Sequence, residues 1–230
     1  MASEITAEQI AEIEELVARA QAAAKIIETY DQARIDHLCQ AVCAAVYPLK
    51  VWGNLCDEAV DETRLGDKVT KRNKRNKLKL ILRDCLRQPS VGIIEENKEK
   101  GLVRYGKPVG VIGTLVPTTN PCLTPAGQII YAIKARDVLI CSPHPRAKNV
   151  TNKCIDIIRE ALVKEGAPAD IIQGIKNPSI AMSQELMKRV NLVIATGGRP
   201  MVKAAYSSGT PAFGSGAGNA TEVIDETANT

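Results

Sequence analysis

The chain has 230 residues, 45% of them hydrophobic and 24% charged, which is enough for one large domain or two small ones and is typical of soluble globular proteins. No apolar run approaches the roughly 20 residues needed to cross a bilayer, and the acidic, amphipathic start of the chain has the pattern of neither a secretory signal nor a transit peptide. Seven cysteines without paired short spacings indicate a reducing compartment, so we predict a cytoplasmic protein without membrane contact, while a net charge of +4 is too small to indicate a polyanion partner.

The first hundred residues predict an N-terminal helical region. Thr6 and Gln9, three positions apart, have the pattern of a capping box for the first helix. Apolar residues then recur at spacings of three and four, and the residues that share this face are Ile10, Ile13, Leu16, Val17, Ala20 and Ala24. A second helical pattern runs over residues 31–46 and a third over residues 55–60.

A basic run follows at residues 68–87, with nine Lys or Arg residues against the single Asp84. Such a run is most often the solvated face of a helix, and we predict a helix here. The alternative is a phosphate-binding surface for a nucleic acid or a nucleotide. No aromatic residue interleaves with these charges, so base stacking has little support and we predict no nucleic-acid partner.

The residue pattern of the sequence changes after residue 88. Prolines and glycines predict turns around a short strand over residues 102–105. From Val109 onward, apolar strands alternate with amphipathic helices. The predicted strands are VGVIGTLV, DVLICS, DIIQGI and NLVIAT, with a last fragment within PAFGSGAGNATEVID. This alternation indicates βαβ units, so the expected fold class is α/β, with a Rossmann-type, mostly parallel sheet over residues 101–230 preceded by the helical region of residues 1–100.

The loops after these strands should meet at one edge of the sheet, where ligands bind in such folds. The loops read PTTNP, SPHPRA, TGGRPM and GSGAGN, which suits a phosphorylated ligand that carries a ribose. Gly197 and Gly198 stand where a helix begins, a position that favours a diphosphate. His144 and Arg146 could reach ribose hydroxyls or a 2′-phosphate. The alternative is a surface turn whose polar tips are satisfied within the chain.

Cys122 raises the question of a nucleophile, because a thiol at a helix N-terminus can have a lowered pKa. No acid or base neighbours it in the sequence, so we favour a small apolar helix residue. His37, Cys39 and Cys43 could place three metal ligands on adjacent helix turns, but no fourth ligand is evident and we predict no metal site.

These loops, in this order, resemble the cofactor-binding half of aldehyde dehydrogenases, specifically the CoA-acylating branch. The matching segments are AVDETRLGDKVTK, VGVIGTLVPTTNP, AIKARDVLICSPHPRAKNVT, EGAPADIIQGI and NLVIATGGRPMVKAAYSSGTPAFGSGAGN. The resemblance implies that a cysteine attacks a small charged aldehyde, that NAD or NADP takes a hydride, and that coenzyme A, the co-substrate, receives the acyl group. Sulfoacetaldehyde ranks slightly ahead of succinic semialdehyde as the aldehyde, and the full-length enzyme is expected to be a homo-oligomer.

Hydrolytic members of the family carry a water-activating glutamate where this chain has the run 215–218, Ser-Gly-Ala-Gly. Without that base a thiol competes better than water, which points to an acyl-CoA product. None of the seven cysteines matches the family nucleophile, which follows the GAGN turn. The resemblance therefore implies that the catalytic domain is absent from this chain, that the chain is a truncated product or a remnant, and that alone it does not turn over aldehyde.

The resemblance also assigns site residues. Those along the cofactor or near its nicotinamide are Thr118, Thr119, Asn120, Ser215 and Gly216. Those at the adenosine ribose are Ser142, Pro143, His144 and Arg146. Those at the adenine are Gly166, Pro168 and Met201, and those at the diphosphate are Thr196, Gly197 and Gly198. Asn120 is the expected ligand of the developing oxyanion, although a gap-free alignment with hydrolytic members places Thr119 there instead.

Two other functions stay open at this point. One is a non-catalytic nucleotide-binding module. Formation of NAD(P)H from aldehyde and CoA by a longer gene product would distinguish the enzyme from this module. The other is a polyanion-binding protein acting through residues 68–87, which predicts salt-sensitive binding to nucleic acid. The first helix could also act as a targeting peptide for a protein-shelled compartment, as in some relatives, but we expect it to pack on its own domain.

Overall fold

The computed structural model describes residues 4–229, in which helices precede and then alternate with strands. The helices are α1 (Ala7–Ile27), α2 (Gln32–Val46), α3 (Leu49–Thr63), α4 (Lys68–Asn73), α5 (Arg75–Leu86), α6 (Leu123–Ala135), α7 (Lys148–Lys164), α8 (Ile180–Arg189) and α9 (Arg199–Tyr206). The strands are β1 (Gly92–Asn97), β2 (Leu102–Gly106), β3 (Val111–Val116), β4 (Val138–Pro143), β5 (Ile172–Gly174), β6 (Leu192–Thr196) and β7 (Ala212–Ser215).

The first helix begins as its sequence predicts. The Gln9 backbone N–H donates to Thr6 Oγ1 at 3.2 Å, and the Thr6 N–H donates to Gln9 Oε1 at 3.1 Å, which completes the capping box. The apolar face of α1 is buried, with Ile13 and Ala20 fully enclosed. It packs against β4 and α8, so the N-terminal region covers the sheet.

The middle of the chain departs from the expected pattern in three places. The third helix is longer than predicted and ends at Thr63, because Arg64 adopts a left-handed conformation with φ 58°. The basic run forms two helices rather than one, since the Lys74 N–H turns back to Lys71 O and closes α4. Strand β1 was missed, and it pairs with β2 in an exposed antiparallel hairpin.

The remaining strands form one parallel sheet in the order β5-β4-β3-β6-β7. Every residue of β3 and β4 is buried, as the near-continuous apolar runs predict for central parallel strands. The α/β fold class, with N-terminal helices before a parallel sheet, is therefore confirmed. A 3-10 helix, residues 169–171, takes the first two residues of the predicted segment DIIQGI and shortens β5.

The strand order reverses at β3. From β3 the chain runs outward to β4 and β5, and then crosses back to place β6 on the other side of β3. Leu115 near the end of β3 is level with Ser142 of β4 and with Ala195 of β6. A crevice opens at such a reversal, outside the carboxyl ends of the strands, and it is the usual ligand site of doubly wound folds.

Candidate nucleotide-binding cleft

A cleft of about 360 Å³ lies at this reversal point. Its walls come from the carboxyl ends of β3, β4 and β6 and from the starts of α8 and α9. The lining residues are Leu115, Val116, Ser142, Pro143, His144, Pro145, Ser179, Ile180, Ser183, Thr196, Gly197, Gly198, Pro200 and Met201. The cleft therefore combines apolar walls with a few hydroxyl, imidazole and backbone groups, which is the usual make-up of a small-molecule site.

Seven of the residues predicted from the sequence meet in this cleft: Ser142, Pro143, His144, Thr196, Gly197, Gly198 and Met201. Helix α9 begins directly at its wall, with Gly198 as the N-terminal cap. The N–H of Gly197 is bonded to Ser215 O at 3.1 Å, and Pro200 has no N–H. The donors that the helix start can offer are therefore those of Gly198 and Arg199, close to the positive end of the helix dipole.

The side chain of His144 is held in place at the end of β4 by a hydrogen bond. Its Nδ1 accepts a hydrogen bond from the backbone N–H of Arg146 at 3.1 Å, which caps the 3-10 helix Pro145–Ala147. Burial, and then the positive charge of Arg146, lower the pKa of His144 below its usual value. Since Nδ1 acts as an acceptor, the neutral ring carries its proton on Nε2, which is a donor.

Arg146 does not line the cleft. Its Nη2 donates to the backbone carbonyl of Thr63 at 2.8 Å, which ties the guanidinium to the end of α3. Arg146 thereby satisfies a helix C-terminus, and its expected contact with the ribose stays a prediction.

Gly166 and Pro168 are also placed away from the cleft. Both precede β5, whereas the cleft lies beyond the carboxyl ends of the strands. Gly166 has φ 67° and lies beside Arg34 of α2. These two residues lie at the amino edge of the sheet, so the cleft does not bring them together with the other predicted residues, and their contact with the adenine stays a prediction.

Ser215 and Gly216 flank the cleft without lining it. Ser215 is paired with Thr196 across β6 and β7, so it lies next to the cleft wall. Gly216 lines a separate recess on the far side of α9, together with Val202 and Tyr206.

The turn Thr118–Asn120 lies outside the cleft as well, in contact with the basic run. Lys71 Nζ donates to the Thr119 carbonyl at 3.2 Å, and Lys74 Nζ donates to Asn120 Oδ1 at 2.8 Å. Thr119 and Asn120 line a recess of about 20 Å³ beside these lysines, which is room for about one water molecule. Burial, and then the charge of Lys74, lower the pKa of Lys71.

Cys122 caps the start of α6 and is 4% exposed. A hydrogen bond with the Cys154 thiol, and then burial, raise the pKa of the Cys122 thiol well above its usual range. The helix N-terminus therefore does not produce a thiolate here. The structure favours the interpretation of Cys122 as a small packed residue.

Sequence reasoning missed the α8 side of the cleft, namely Ser179, Ile180 and Ser183. A signal was present, since the loop after DIIQGI is also a carboxyl-end loop and leads to the Ser179 cap of α8. It also missed Leu115, Val116, Pro145 and Pro200, which are apolar neighbours of the predicted polar positions.

Most of the basic run has partners within the chain. The residues whose side chains bond to other groups are Lys68, Lys71, Arg72, Lys74, Arg75 and Arg83. The side chains of this basic run therefore hold α3 and the turn after β3 in place.

Within residues 4–229, no three His, Cys, Asp or Glu side chains lie close enough together to bind a metal ion. His37 Nε2 instead lies 2.6 Å from Glu165 Oε2. No helix in the same range has the length and apolar character needed to cross a membrane.

Comparison with known sequences gives a consistent set of relatives. Residues 73–229 match the aldehyde dehydrogenase family. A sulfoacetaldehyde dehydrogenase from an Acholeplasma species is 48% identical over 213 residues, which cover 91% of this chain and 44% of that protein. A succinate-semialdehyde dehydrogenase (acetylating) from Clostridium kluyveri is 41% identical over 217 residues, which cover 93% and 47%. The chain spans about half the length of the curated relatives it matches.

Solved structures agree with these matches. An acetylating aldehyde dehydrogenase from Geobacillus thermoglucosidasius superposes with a TM-score of 0.88 at 35% identity, over 92% of this chain and 47% of that one. Among the structures at 27% identity and a TM-score of 0.78 are two with different bound ligands. They are a Rhodopseudomonas palustris propionaldehyde dehydrogenase with bound propionyl-CoA, over 90% of this chain and 46% of that one, and an engineered glycolyl-CoA reductase with bound NADP+, over 94% and 49%.

Proposed function

The chain belongs to the aldehyde dehydrogenase family, and from that premise we propose that it forms the NAD(P)-binding part of a CoA-acylating aldehyde dehydrogenase. Residues 101–230 supply the βαβ dinucleotide-binding core and residues 1–100 the helical region of the same cofactor domain. The catalytic domain is not part of the 230 residues.

The observation that carries this proposal is the cleft at the reversal of strand order. Its residues fit a dinucleotide: Gly198 and the start of α9 suit a diphosphate, while Ile180 and Met201 give apolar walls for an adenine. His144 and Ser142 offer polar groups for a ribose. The bound NADP+ in the engineered reductase supports a nicotinamide cofactor, and the bound propionyl-CoA in the R. palustris enzyme supports coenzyme A as co-substrate.

The relatives support a small charged aldehyde as substrate, with sulfoacetaldehyde ahead of succinic semialdehyde. In the proposed reaction a cysteine thiol would add to the aldehyde, the nicotinamide of NAD(P)+ would supply the hydride acceptor, and the CoA thiol would take the acyl group from the resulting thioester and release the cysteine. Asn120 is the proposed oxyanion ligand, held by Lys74. All seven cysteines of this chain are buried, so we propose that it binds cofactor but does not by itself oxidise aldehyde.

Calorimetric titration of the 230-residue chain with NAD+ and, separately, with NADP+ tests the proposal. We expect saturable one-site binding of at least one nucleotide. Replacing Ile180, which is 62% exposed on the cleft wall, by Asp should weaken binding at least about tenfold, because a carboxylate there repels the phosphates. The matched control is Val163→Asp, at an exposed position of α7 outside the cleft, which should leave the affinity unchanged. Absence of binding of both nucleotides would contradict the proposal.

A further inference from the structure

Two lysines of the basic run converge on the turn after β3, where Asn120 is the proposed oxyanion ligand. Lys71 Nζ donates to the Thr119 carbonyl at 3.2 Å, and Lys74 Nζ donates to Asn120 Oδ1 at 2.8 Å. An ammonium group has three N–H donors, and each of these lysines has only this one acceptor among residues 4–229. Both ammonium groups therefore keep donors for a further acceptor.

Neither ammonium group has a carboxylate partner within the described part of the chain. Lys71 is only 7% exposed, and a buried charge is costly unless an opposite charge is paired with it. The acidic side chains of α3 that could serve are already bonded to other cations, in the pairs Asp57–Arg72, Glu58–Lys153 and Asp61–Lys68. No Asp or Glu is among the described residues that line the recess beside the two lysines.

The thiols that line this recess do not supply the missing negative charge. Burial, and then the proximity of Cys122, raise the pKa of Cys56 to about 12. The pKa of Cys122 is also well above its usual range, so both thiols keep their protons. The recess, of about 20 Å³, has room for one oxygen atom of the size of a water molecule. An oxygen from an anionic ligand fits both the space and the charge.

The recess lies next to the nucleotide-binding cleft. Both are built on the carboxyl end of β3, since Val116 lines the cleft and Thr119, three residues later, lines the recess. Asn120 lines the recess too, and its Oδ1 accepts from Lys74, so its Nδ2 is the end of the amide that can donate to a ligand. A short ligand whose carbonyl oxygen meets Asn120 therefore has its other end within reach of the lysines.

We propose that Lys71 and Lys74 bind the terminal anionic group, a sulfonate or a carboxylate, of the aldehyde substrate and thereby select charged aldehydes over uncharged ones. The inference rests on the proposed function. One oxygen of the anion enters the recess and accepts from both ammonium groups, while Asn120 Nδ2 donates to the aldehyde oxygen. Bonds between charged groups are stronger than neutral ones, and the burial of Lys71 reduces competition from water.

Titration of the 230-residue chain with unreactive alcohol analogues tests the inference. The probes are 2-hydroxyethanesulfonate, which corresponds to sulfoacetaldehyde, and 4-hydroxybutyrate, which corresponds to succinic semialdehyde. We expect at least one to cause saturable shifts of the Asn120 side-chain amide in ¹⁵N-correlated NMR spectra, and the one that binds more tightly identifies the anionic group. The uncharged 2-(methylsulfonyl)ethanol should bind at least about tenfold more weakly. Absence of saturable shifts with both anions, or equal binding of the uncharged compound, would overturn the inference.

Variants of the lysines test whether their charge is responsible. Lys71→Met and Lys74→Met should each weaken anion binding at least about fivefold, whereas Lys74→Arg, which keeps the charge, should stay within about threefold of wild type. Lys77→Met, at an exposed position of the same basic run, is the matched control and should leave the affinity unchanged. Unchanged affinity in both folded methionine variants would refute the proposal. Should Lys71→Met not fold, Lys74→Met decides the question alone.

The nucleotide titrations separate this inference from the proposed function. Binding of NAD+ or NADP+ without anion-dependent shifts at Asn120 would overturn the inference alone. Anion binding at the lysines without binding of either nucleotide would overturn the proposed function and, with it, the assignment of the anion to an aldehyde substrate.

Discussion

Lys74 Nζ lies 2.8 Å from Oδ1 of Asn120, across 46 positions of sequence. The ammonium can only donate, so it fixes which end of the Asn120 amide is the oxygen. The Nδ2 hydrogens are thereby directed away from the lysine, and they are the donors that the proposed oxyanion role requires. Lys71 holds the preceding carbonyl of Thr119 from the same side.

Replacing Lys74 by Met should release this amide. We expect the side-chain amide resonances of Asn120 to shift and its Nδ2 protons to exchange faster with water in ¹⁵N-correlated NMR spectra, while the free energy of unfolding changes by less than about 1 kcal/mol. Lys77→Met, at an exposed position of α5, is the matched control and should leave Asn120 unchanged. Asn120 resonances that are the same in both variants would show that the contact does not orient the amide.

The cysteines should be unreactive in the folded chain. All seven are buried, and Cys122 has a raised pKa, so a thiol reagent should label none of them faster than the chain opens. In denaturant all seven should react. Rapid labelling of Cys122, located by mass spectrometry, would contradict the structure and reopen its interpretation as a nucleophile.

Asp137 should make the stability depend on pH. Its Oδ1 accepts the N–H groups of Val109 at 2.6 Å and Gly110 at 2.7 Å. Burial nevertheless raises the pKa of this carboxyl from 3.8 to about 6, although these two bonds and the charge of Arg136 lower it. The protonated form is therefore favoured in the folded state, and its stabilising contribution is present below about pH 4 and lost as the pH rises through about 6.

Urea denaturation at pH values from 4 to 7 measures this effect. Asp137→Asn cannot titrate, so its free energy of unfolding relative to wild type should rise by about 2 kcal/mol over that range. Glu96→Gln, at an exposed position of β1, should show a flat difference. A flat difference for Asp137→Asn as well would mean that the carboxyl titrates normally.

Gly174 at the end of β5 should not tolerate a side chain. A Cβ there would overlap Oδ1 of Asn152 and would lie 2.8 Å from Cδ1 of Ile155. Asn152 cannot easily move, because its Nδ2 donates to Lys148 O at 2.9 Å and to Ile175 O at 3.1 Å. We expect Gly174→Ala to lower the free energy of unfolding by about 1–3 kcal/mol in denaturant titrations. Gly218→Ala, where nothing lies within 4 Å, should change it by less than about 0.5 kcal/mol. Similar values for the two variants would contradict the close packing of β5 on α7.

The sequence predicted the parallel sheet well because burial on both faces leaves a continuous apolar run, as in β3. It did not predict β1, whose centre carries Glu95 and Glu96 and which is exposed, so neither periodicity nor apolar length marks it. The cleft residues after β4 and β6 were predicted because the carboxyl ends of parallel strands share an edge. The same rule, applied to Gly166, would have placed it at the opposite edge.

Contacts between residues that lie far apart in the sequence cannot be predicted from the spacing of residue types. No local pattern shows that Lys74 meets Asn120, or that Arg146 is held by the end of α3. The hydrogen bond between Ser142 Oγ and Ser183 Oγ likewise depends on how α8 packs against β4, which only the assembled fold defines.

The family match begins at residue 73, but the buried interior does not. Helices α1 to α3 precede that point, and Gln173 of β5 donates from Nε2 to the Leu16 carbonyl at 2.9 Å. A chain cut at residue 73 would keep the whole stretch 73–229 that matches the family, yet it would uncover the sheet and leave Gln173 without this partner. That stretch is thus shorter than the smallest piece that we expect to unfold cooperatively, and α1 to α3 belong to that piece.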